Sequence, residues 1–508
     1  MNLRGTQRVP RALMTAVCAG MLCRIALFCT LAPWNPAIER ASVLRGDAGG
    51  YHLLACNLLE GHGFSLCLSP PYLPDNNRTP LYPLFLAAVF AVAGTGVWPA
   101  LLVHIALSMT SLCLMYLLCR RLWDSAHAAC AAWLFALCPL DITCTLSLTT
   151  ETLFVLILLW LLLAWFSYLE NPRGALLALA GVLTGVCALC RPVAVYLPAA
   201  FLVPLCAVHV TRKTLRTGVV ALALFLAGYT LAIAPWLARN HARIGTWKLS
   251  CADGANLLFG QAGCALAFET GRDWSLVCTA LRGVLAERYA IPAFPPTIAG
   301  PYLAGPASNT AWAASFMPDI AAWRHTPPIP VTTVVELATA QIALGSLLIK
   351  QHFVVYAKWT CIGMLRTLFT PPWQELMRMV APDIDALQLI AACRDRDGQA
   401  LRGFGIWRVT LALFLAAWTA AFAVAAAILF LTGISGIACS GRGAAHVLTW
   451  LAVCGYFFAL TGPQGHSRYR EQCAPLLIPL AAYGLHMILQ RIGAFRQSAI
   501  KNQHSATR

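Results

Sequence analysis

Several ionisable residues stand beside long apolar segments of this chain, where a charge costs free energy and is a candidate for function. Asp47, in the stretch RGDAGGYHLLACNLLEGHGFS (45–65), could accept a proton as a general base. Arginines suit phosphate because the planar guanidinium makes two parallel charged hydrogen bonds to it. The arginines in question are Arg78, Arg191, Arg239, Arg468 and Arg470. A carboxylate and arginines at a membrane face suit chemistry on a lipid phosphate.

Each of these residues also has a purely structural interpretation. Asp47 could belong to a solvated turn. Two further carboxylates, Asp141 and Glu151, could cap helix starts, where the helix dipole favours negative charge, and capping is favoured for Glu151. Arg191 could anchor a helix end, and Arg239 could be an interfacial side chain whose charged head reaches water.

The composition predicts an integral membrane protein. The chain has 508 residues, of which 59% are hydrophobic and 11% are charged, whereas soluble domains carry roughly 25% charged residues. The mean hydropathy is +0.68. The net charge of +16 is explained by cytoplasmic Lys and Arg and by contact with lipid phosphates. Because no nucleic-acid motif accompanies it, the sequence predicts no nucleic-acid partner.

The elements that must position these residues are apolar segments long enough to cross a bilayer as helices. The clear segments are 12–32, 97–119, 126–143, 148–168, 174–190, 192–208, 216–236, 407–432, 444–461 and 473–490. With the basic N-terminus inside, the short loops rich in Lys and Arg all fall on the inner side, as the positive-inside rule requires. This orientation requires that residues 79–94 do not cross the membrane, and Pro80 and Pro83 support that interpretation. The first segment is interpreted as a retained helix and not a cleaved signal peptide.

This threading places the candidate residues on the outer side and divides the chain into three parts. Residues 1–236 form a transmembrane module with a first outer loop at 33–96. Residues 237–405 form a long extracytoplasmic segment, whose apolar runs at 334–349 and 352–370 could be interfacial helices or one hairpin. Residues 406–508 supply the C-terminal helices and a basic tail, and both termini are expected in the cytoplasm.

The order of several motifs resembles the bacterial polytopic glycosyltransferases of the GT-C type, in the family related to protein O-mannosyltransferases and the lipid A aminoarabinose transferase. The motifs are GDAGGYHLLACNLLEGHGF, RTPLYPLFLA, CPLDITCTLSLTTETLF, LAGVLTGVCALCRP, APWLARNHARIGTW and HSRYREQCAPLLIPLAAYG. Together they cover 12–260 well and 444–490 moderately, while 260–440 matches nothing recognisable. The resemblance implies an all-α membrane fold: a GT-C-like bundle of about 10–12 transmembrane helices with outer-face loops and juxtamembrane helices.

The resemblance also implies roles for individual residues. Asp47 would be the catalytic carboxylate of the first outer loop. The residues that would bind the substrate are Arg78, Tyr82, Arg191, Arg239, His466, Arg468 and Arg470. Many relatives have an acidic pair where this chain has Asp47 followed by Ala48, which leaves open whether a divalent metal ion is used. Asp141 or Glu151 could then supply the second carboxylate for the metal.

The predicted function is an inverting transfer of one sugar from a polyprenyl-phosphate donor to an acceptor at the outer face of the plasma (inner) membrane. The acceptor could be a glycolipid, a polysaccharide or a protein. A lipid phosphate is a good leaving group, so the step needs a base, Asp47, and positive charge at the phosphate, but no general acid. The alternative is a transporter or flippase of a lipid-linked or anionic substrate. It is disfavoured because the charges cluster at outer helix ends and not at the membrane midplane.

Overall fold

The computed structural model describes residues 10–44, 46–211, 213–290, 329–331, 333–369, 406–439, 444–464 and 470–506. In these residues the predicted all-α class is confirmed, because the β-structure consists of one pair of two-residue strands. Strand β1 (Tyr289–Ala290) pairs in parallel with β2 (Ile329–Pro330), Tyr289 opposite Ile329.

The N-terminal part holds ten helices that position most of the candidate residues. They are α1 (Arg11–Leu31), α2 (Asp47–Leu59), α3 (Leu81–Ala93), α4 (Val97–Leu122), α5 (Ser125–Ala136), α6 (Pro139–Thr145), α7 (Glu151–Glu170), α8 (Gly174–Cys190), α9 (Leu197–Thr211) and α10 (Leu215–Ile244). Short helical turns lie at Pro36–Ile38, Glu39–Val43 and Pro192–Ala194. Helix α10 continues past the domain boundary predicted at 236.

The C-terminal part holds the remaining helices. They are α11 (Gly263–Thr270), α12 (Trp274–Arg288), α13 (Val334–Gln351), α14 (Phe353–Phe369), α15 (Ile406–Cys439), α16 (Ala444–Thr461) and α17 (Ala474–Ala506), with short turns at Ala252–Ala255, Asn256–Ala262 and Gly462–Gln464. Helices α11 to α13 share a separate apolar cluster that includes Phe259, Val277, Leu281 and Leu344. The predicted outer segment therefore has a core of its own.

The described residues contain eight helices long and apolar enough to cross a membrane, or nine if the bent pair α5–α6 counts as one span. This count is of the described residues, whereas the expected 10–12 helices refer to the whole chain. Helix α8, with 17 residues, is a shorter apolar helix and is not among the eight. Helix α13 belongs to the eight although its apolar run is weak. Helix α3 has 13 residues and is roughly 20 Å long, which is short of a hydrocarbon core of roughly 30 Å.

The apolar run 126–143 is not one helix, in contrast to the prediction. Helices α5 and α6 meet at an angle of 56°. The residue before a proline is driven out of the helical region, and Cys138 is extended immediately before Pro139, which starts α6. The break directs Asp141 toward helix α1.

Helices α8 and α10 pack with their backbones close together because glycines face the contact. A Cβ added at Gly181 would lie 2.1 Å from the carbonyl oxygen of Phe225, and one at Gly228 would lie 2.4 Å from that of Ala178. Since α8 ends just before Arg191 and α10 carries Arg239, this contact fixes two of the candidate arginines relative to each other.

Candidate functional site

Asp47 and Arg78 form an ion pair at the start of α2. The Nη2 atom of Arg78 donates to Oδ1 of Asp47 at 2.6 Å, and the two side chains remain 37% and 29% exposed for Asp47 and Arg78 respectively. Gly46, with φ +58°, makes the turn that places Asp47 in the first turn of the helix. A Cβ at Gly50 would lie 3.8 Å from the Leu66 side chain and 4.0 Å from Arg78 Nη2, so the Arg78 side chain passes close to this face of the helix.

Aromatic rings pack against the Arg78 side of this ion pair. The Arg78 guanidinium lies 4.9 Å from the centre of the Tyr51 ring, and Tyr51 packs edge-on against Tyr82 at 5.0 Å. The Tyr82 hydroxyl is hydrogen-bonded to Nε2 of His104 at 3.2 Å, and both side chains are fully buried. Tyr82, expected to bind substrate, therefore packs against Tyr51, the ring on which Arg78 lies.

Asp75 is a buried acid next to the pair that the sequence analysis did not single out. Its Oδ2 accepts hydrogen bonds from the backbone N–H groups of Asn77 and Arg78, both at 3.1 Å. Burial raises the pKa of Asp75 more than these donors lower it. Burial would lower the pKa of Arg78, but the Asp47 and Asp75 carboxylates help to raise it above its usual value. Arg78 is therefore a permanent cation between two acids.

Arg239 and Asn240 hold the same loop from helix α10. Arg239 Nη1 donates to the backbone carbonyl of Asp75 at 2.7 Å, and its guanidinium lies 4.6 Å from the Trp236 ring centre. Asn240 Nδ2 donates to Oδ1 of Asn76 at 2.9 Å. Besides the interfacial position considered for it, Arg239 therefore binds the loop that carries Arg78.

Arg191 and Glu151 pair with each other in a second group. Nη1 of Arg191 lies 2.8 Å from Oε1 of Glu151 and donates to the Thr150 hydroxyl at 2.8 Å. Both side chains are largely buried, at 12% and 0% exposure respectively. Glu151 stands in the first turn of α7, where capping was the favoured alternative, yet its side chain pairs with an arginine at the end of α8.

Asp141 pairs with Arg24, a residue of the first helix that the sequence analysis did not single out. Oδ2 of Asp141 accepts from Nη2 of Arg24 and, at 2.7 Å, from the Ser108 hydroxyl. Arg24 also donates to Ser108 and to the backbone carbonyl of Ala136. Arg24 is fully buried. A lone arginine inside an apolar helix is the signal that could have identified it.

Asp141 and Glu151, the carboxylates predicted to supply a ligand to a metal, each have one oxygen engaged by an arginine. In the part of the chain that the structure describes, the clustered group of His, Cys, Asp and Glu that could hold a metal is elsewhere: Asp124, His127 and His486.

Arg470 and Glu471 line an apolar groove between α5–α6, α15 and α17. Arg470 Nη1 donates to the carbonyl of Leu368 at 2.6 Å. Burial, followed by the neighbouring Asp141 carboxylate, raises the pKa of Glu471 well above its usual value. The other walls of this groove are apolar side chains apart from Thr419; among them are Leu134, Cys138, Phe422, Leu477 and Ala481.

The structure thus brings Asp47, Arg78, Tyr82 and Arg239 into one group. Arg191 and Arg470 lie in other contacts, and His466 and Arg468 fall outside the described residues. Glu471 follows the predicted Arg470 directly in the sequence. It could have been found because it is the carboxylate of the same motif. Asp75, three residues before Arg78, had no signal beyond its loop position.

Comparison of sequences gives one family match. Residues 77–238 match the model of the family described as dolichyl-phosphate-mannose-protein mannosyltransferase. The match is less than half of the chain; it includes Arg78 and Arg191 and begins after Asp47. Over these residues the predicted resemblance to polytopic GT-C glycosyltransferases is confirmed. No curated protein sequence matches the chain.

Solved structures resemble the chain at low sequence identity. The Archaeoglobus fulgidus oligosaccharyltransferase complexed with Zn and sulfate is 13% identical with a TM-score of 0.40, and the match covers 95% of this chain and 49% of that one. ArnT from Cupriavidus metallidurans, bound to undecaprenyl phosphate, is 16% identical with a TM-score of 0.36, covering 87% and 77%. This chain spans about half the length of the oligosaccharyltransferase.

Proposed function

We propose that this protein is a membrane glycosyltransferase that transfers one sugar from a polyprenyl-phosphate donor to an acceptor at the extracytoplasmic face of the plasma membrane. The observation that carries the proposal is the Asp47–Arg78 ion pair, in which a half-exposed carboxylate is fixed by an arginine. The family match begins at residue 77, within this site, and the family's description names a lipid-phosphate sugar as donor.

The proposed step is a direct displacement. The acceptor oxygen or nitrogen forms a bond to the anomeric carbon of the sugar, while the bond from that carbon to the phosphate oxygen breaks. The electron pair leaves with the polyprenyl phosphate, and the acceptor proton passes to the Asp47 carboxylate. The anomeric configuration is inverted, and no general acid is required because the leaving phosphate is already a weak base.

Arg78 has two roles in this proposal. Without donor, its guanidinium orients Asp47 through a charge-assisted hydrogen bond of 2.6 Å. When the donor binds, its phosphate competes for the same guanidinium, which remains charged beside Asp75. The Asp47 carboxylate is then released toward the acceptor in the arrangement that proton transfer needs.

The groove beside α17 is the proposed path of the polyprenyl chain. Leu477 and Ala481 follow Arg470 along the chain, so the positive charge lies at one end of an apolar surface. This combination fits a phosphate with a hydrocarbon tail and not a water-soluble solute. Helices α11 to α13 belong to the segment proposed to be extracytoplasmic, and their separate core suits a cover for the acceptor.

The ion pairs Arg191–Glu151 and Arg24–Asp141 are assigned to holding the helices around the site. The proposed membrane orientation keeps both termini in the cytoplasm, with residues 1–236 as the transmembrane module, 237–405 outside and 406–508 as the C-terminal helices and tail. His466 and Arg468 stay candidates for phosphate binding beside Arg470.

The test uses the full-length protein in proteoliposomes with a panel of polyprenyl-phosphate sugars and a crude envelope extract as acceptor source. Formation of a new glycoconjugate together with free polyprenyl phosphate, for one donor, is the expected result. In parallel, uptake of the same sugar phosphates without their lipid is followed. Uptake of a water-soluble solute without any transfer would replace the proposal by the transporter alternative.

A further inference from the structure

A second group of ionisable residues lies at the far end of the α5–α17 helix pair. Asp124 is the N-cap of α5 and accepts hydrogen bonds from the backbone N–H groups of Ala126 and His127. His127 stands in the first turn of the same helix, and His486 comes from α17. From Ala474 to His486, α17 rises roughly 18 Å, so the group is remote from Arg470 and Asp141.

The ligand atoms of the three residues converge. Each residue offers one ligand atom, and these three atoms all lie within 4.8 Å of one another. Nδ1 of His127 is 2.9 Å from Oδ1 of Asp124. The ring centres of His127 and His486 are 4.0 Å apart. Zinc–nitrogen bonds of about 2.0–2.1 Å require tetrahedral ligand atoms roughly 3.4 Å apart, so small side-chain rotations complete the geometry.

Neighbouring side chains hold both rings in place. The His127 ring stacks on Tyr483 with a centroid distance of 4.9 Å and an interplanar angle of 19°. Nε2 of Gln490 lies 2.7 Å from Nε2 of His486, one helical turn away. With the Gln490 amide turned so that its oxygen faces this nitrogen, Gln490 accepts the Nε2–H bond, which orients the ring and leaves Nδ1 to bind a cation, as second-shell partners of metal-binding histidines do.

The chemistry of the group favours a cation as its occupant. Neutral imidazoles and one carboxylate are the ligands that zinc and similar divalent transition metals prefer. Asp124, whose side chain is 56% exposed, leaves the group open to water, which can supply a further ligand.

We propose that Asp124, His127 and His486 bind one divalent transition metal ion, of the zinc class, which clamps the beginning of α5 to the last helix. The ion would add a cross-link between residues more than three hundred positions apart in sequence. This metal site is independent of the proposed glycosyl transfer, and its test does not measure transferase activity.

The test uses full-length protein purified through a tag other than polyhistidine and freed of metal with a chelator. Zn²⁺ is titrated in competition with a chromophoric chelator, and Co²⁺ serves as a spectroscopic probe. The wild type is expected to bind one ion per chain, with visible Co²⁺ absorption and a metal-dependent rise in thermal stability. His127→Gln and His486→Gln should weaken binding by at least about 100-fold, more than loss of a second-shell partner does.

Two further variants keep the result interpretable. Asp124→Asn retains an N-cap residue but loses the carboxylate, so it should fold normally and bind Zn²⁺ less tightly. His446→Gln alters a histidine that stacks on Phe166 outside the group and should bind as the wild type does. Equal Zn²⁺ affinity in wild type, His127→Gln and His486→Gln, or no stoichiometric binding by the wild type, would overturn the proposal.

Discussion

The guanidinium of Arg78 lies 2.6 Å from the carboxylate of Asp47, although the two residues are 31 positions apart. One belongs to the first turn of α2, and the other to the loop that leads into α3. Their contact closes the first predicted outer loop on itself and orients its acid. The loop is held in turn by Arg239 and Asn240 from helix α10, so the position of the acid depends on the transmembrane bundle.

Replacing Asp47 by Asn should remove the base while leaving the fold intact. We expect transfer to fall by roughly 100- to 10,000-fold, the usual contribution of a general base, while the donor still raises the thermal stability of the variant. The control is Asp253→Asn, which breaks another exposed ion pair, with Lys248 at 3.0 Å, and should keep full activity. Near-normal transfer by a correctly inserted Asp47→Asn protein would exclude this residue as the base.

Replacing Arg470 by Gln should weaken binding of the donor. If the guanidinium meets the lipid phosphate at the end of the groove, its loss should raise KM about tenfold, since hydrogen bonds to charged groups contribute about 1.5–3 kcal/mol. Arg366→Gln, which alters an exposed arginine against the Phe268 ring, serves as the matched control. Transfer is measured over a range of donor concentrations, and an unchanged KM in Arg470→Gln contradicts the placement of the phosphate.

Replacing Glu471 by Gln should change how stability depends on pH. Because the folded protein raises the pKa of Glu471, the folded state binds the proton more tightly than the unfolded state. The resulting stabilisation is complete at pH values below the ordinary pKa and is lost as pH rises through the raised value. Glu471→Gln imitates the protonated form, so its melting temperature should exceed that of the wild type increasingly toward alkaline pH.

The control for this titration has the opposite sign. Hydrogen bonds from Lys358 and Trp359 lower the pKa of Glu269, an exposed carboxylate on α11. Its contribution is present above the ordinary pKa and lost on acidification, so Glu269→Gln should be the less stable variant at neutral pH. If the difference in melting temperature between wild type and Glu471→Gln is the same at all pH values, the assignment of a raised pKa is refuted.

Replacing Gly181 by Ala should force α8 and α10 apart. The added Cβ would lie 2.1 Å from the Phe225 carbonyl oxygen, and such overpacking costs about 1–3 kcal/mol of stability. Gly455→Ala places the same methyl group where no atom lies within 4 Å, and it should leave stability unchanged or slightly higher. Thermal unfolding in detergent compares the two; equal melting temperatures would mean that the contact tolerates the methyl group.

The sequence predicted well the features that follow from local pattern. Apolar runs located helices such as α4 and α7 because a spanning segment is encoded by consecutive residues. The charged motifs located Asp47 and Arg78. The sequence did not predict contacts between residues far apart along the chain. Nothing near Asp141 indicates that Arg24, 117 positions earlier, is its counter-ion. The bend before Pro139 was encoded locally but was hidden by the hydropathy of the run.

The buried pair Arg24–Asp141 has a consequence for how the protein is made. Helix α1 leaves the ribosome with an arginine in its middle while its counter-ion is still untranslated. An arginine at the centre of a helix adds about 2.5–3.5 kcal/mol to the cost of insertion by the translocon. The first helix must therefore enter the membrane at a penalty that is relieved only when α6 arrives, which makes the partition of α1 into lipid and the emergence of α6 coupled events in biogenesis.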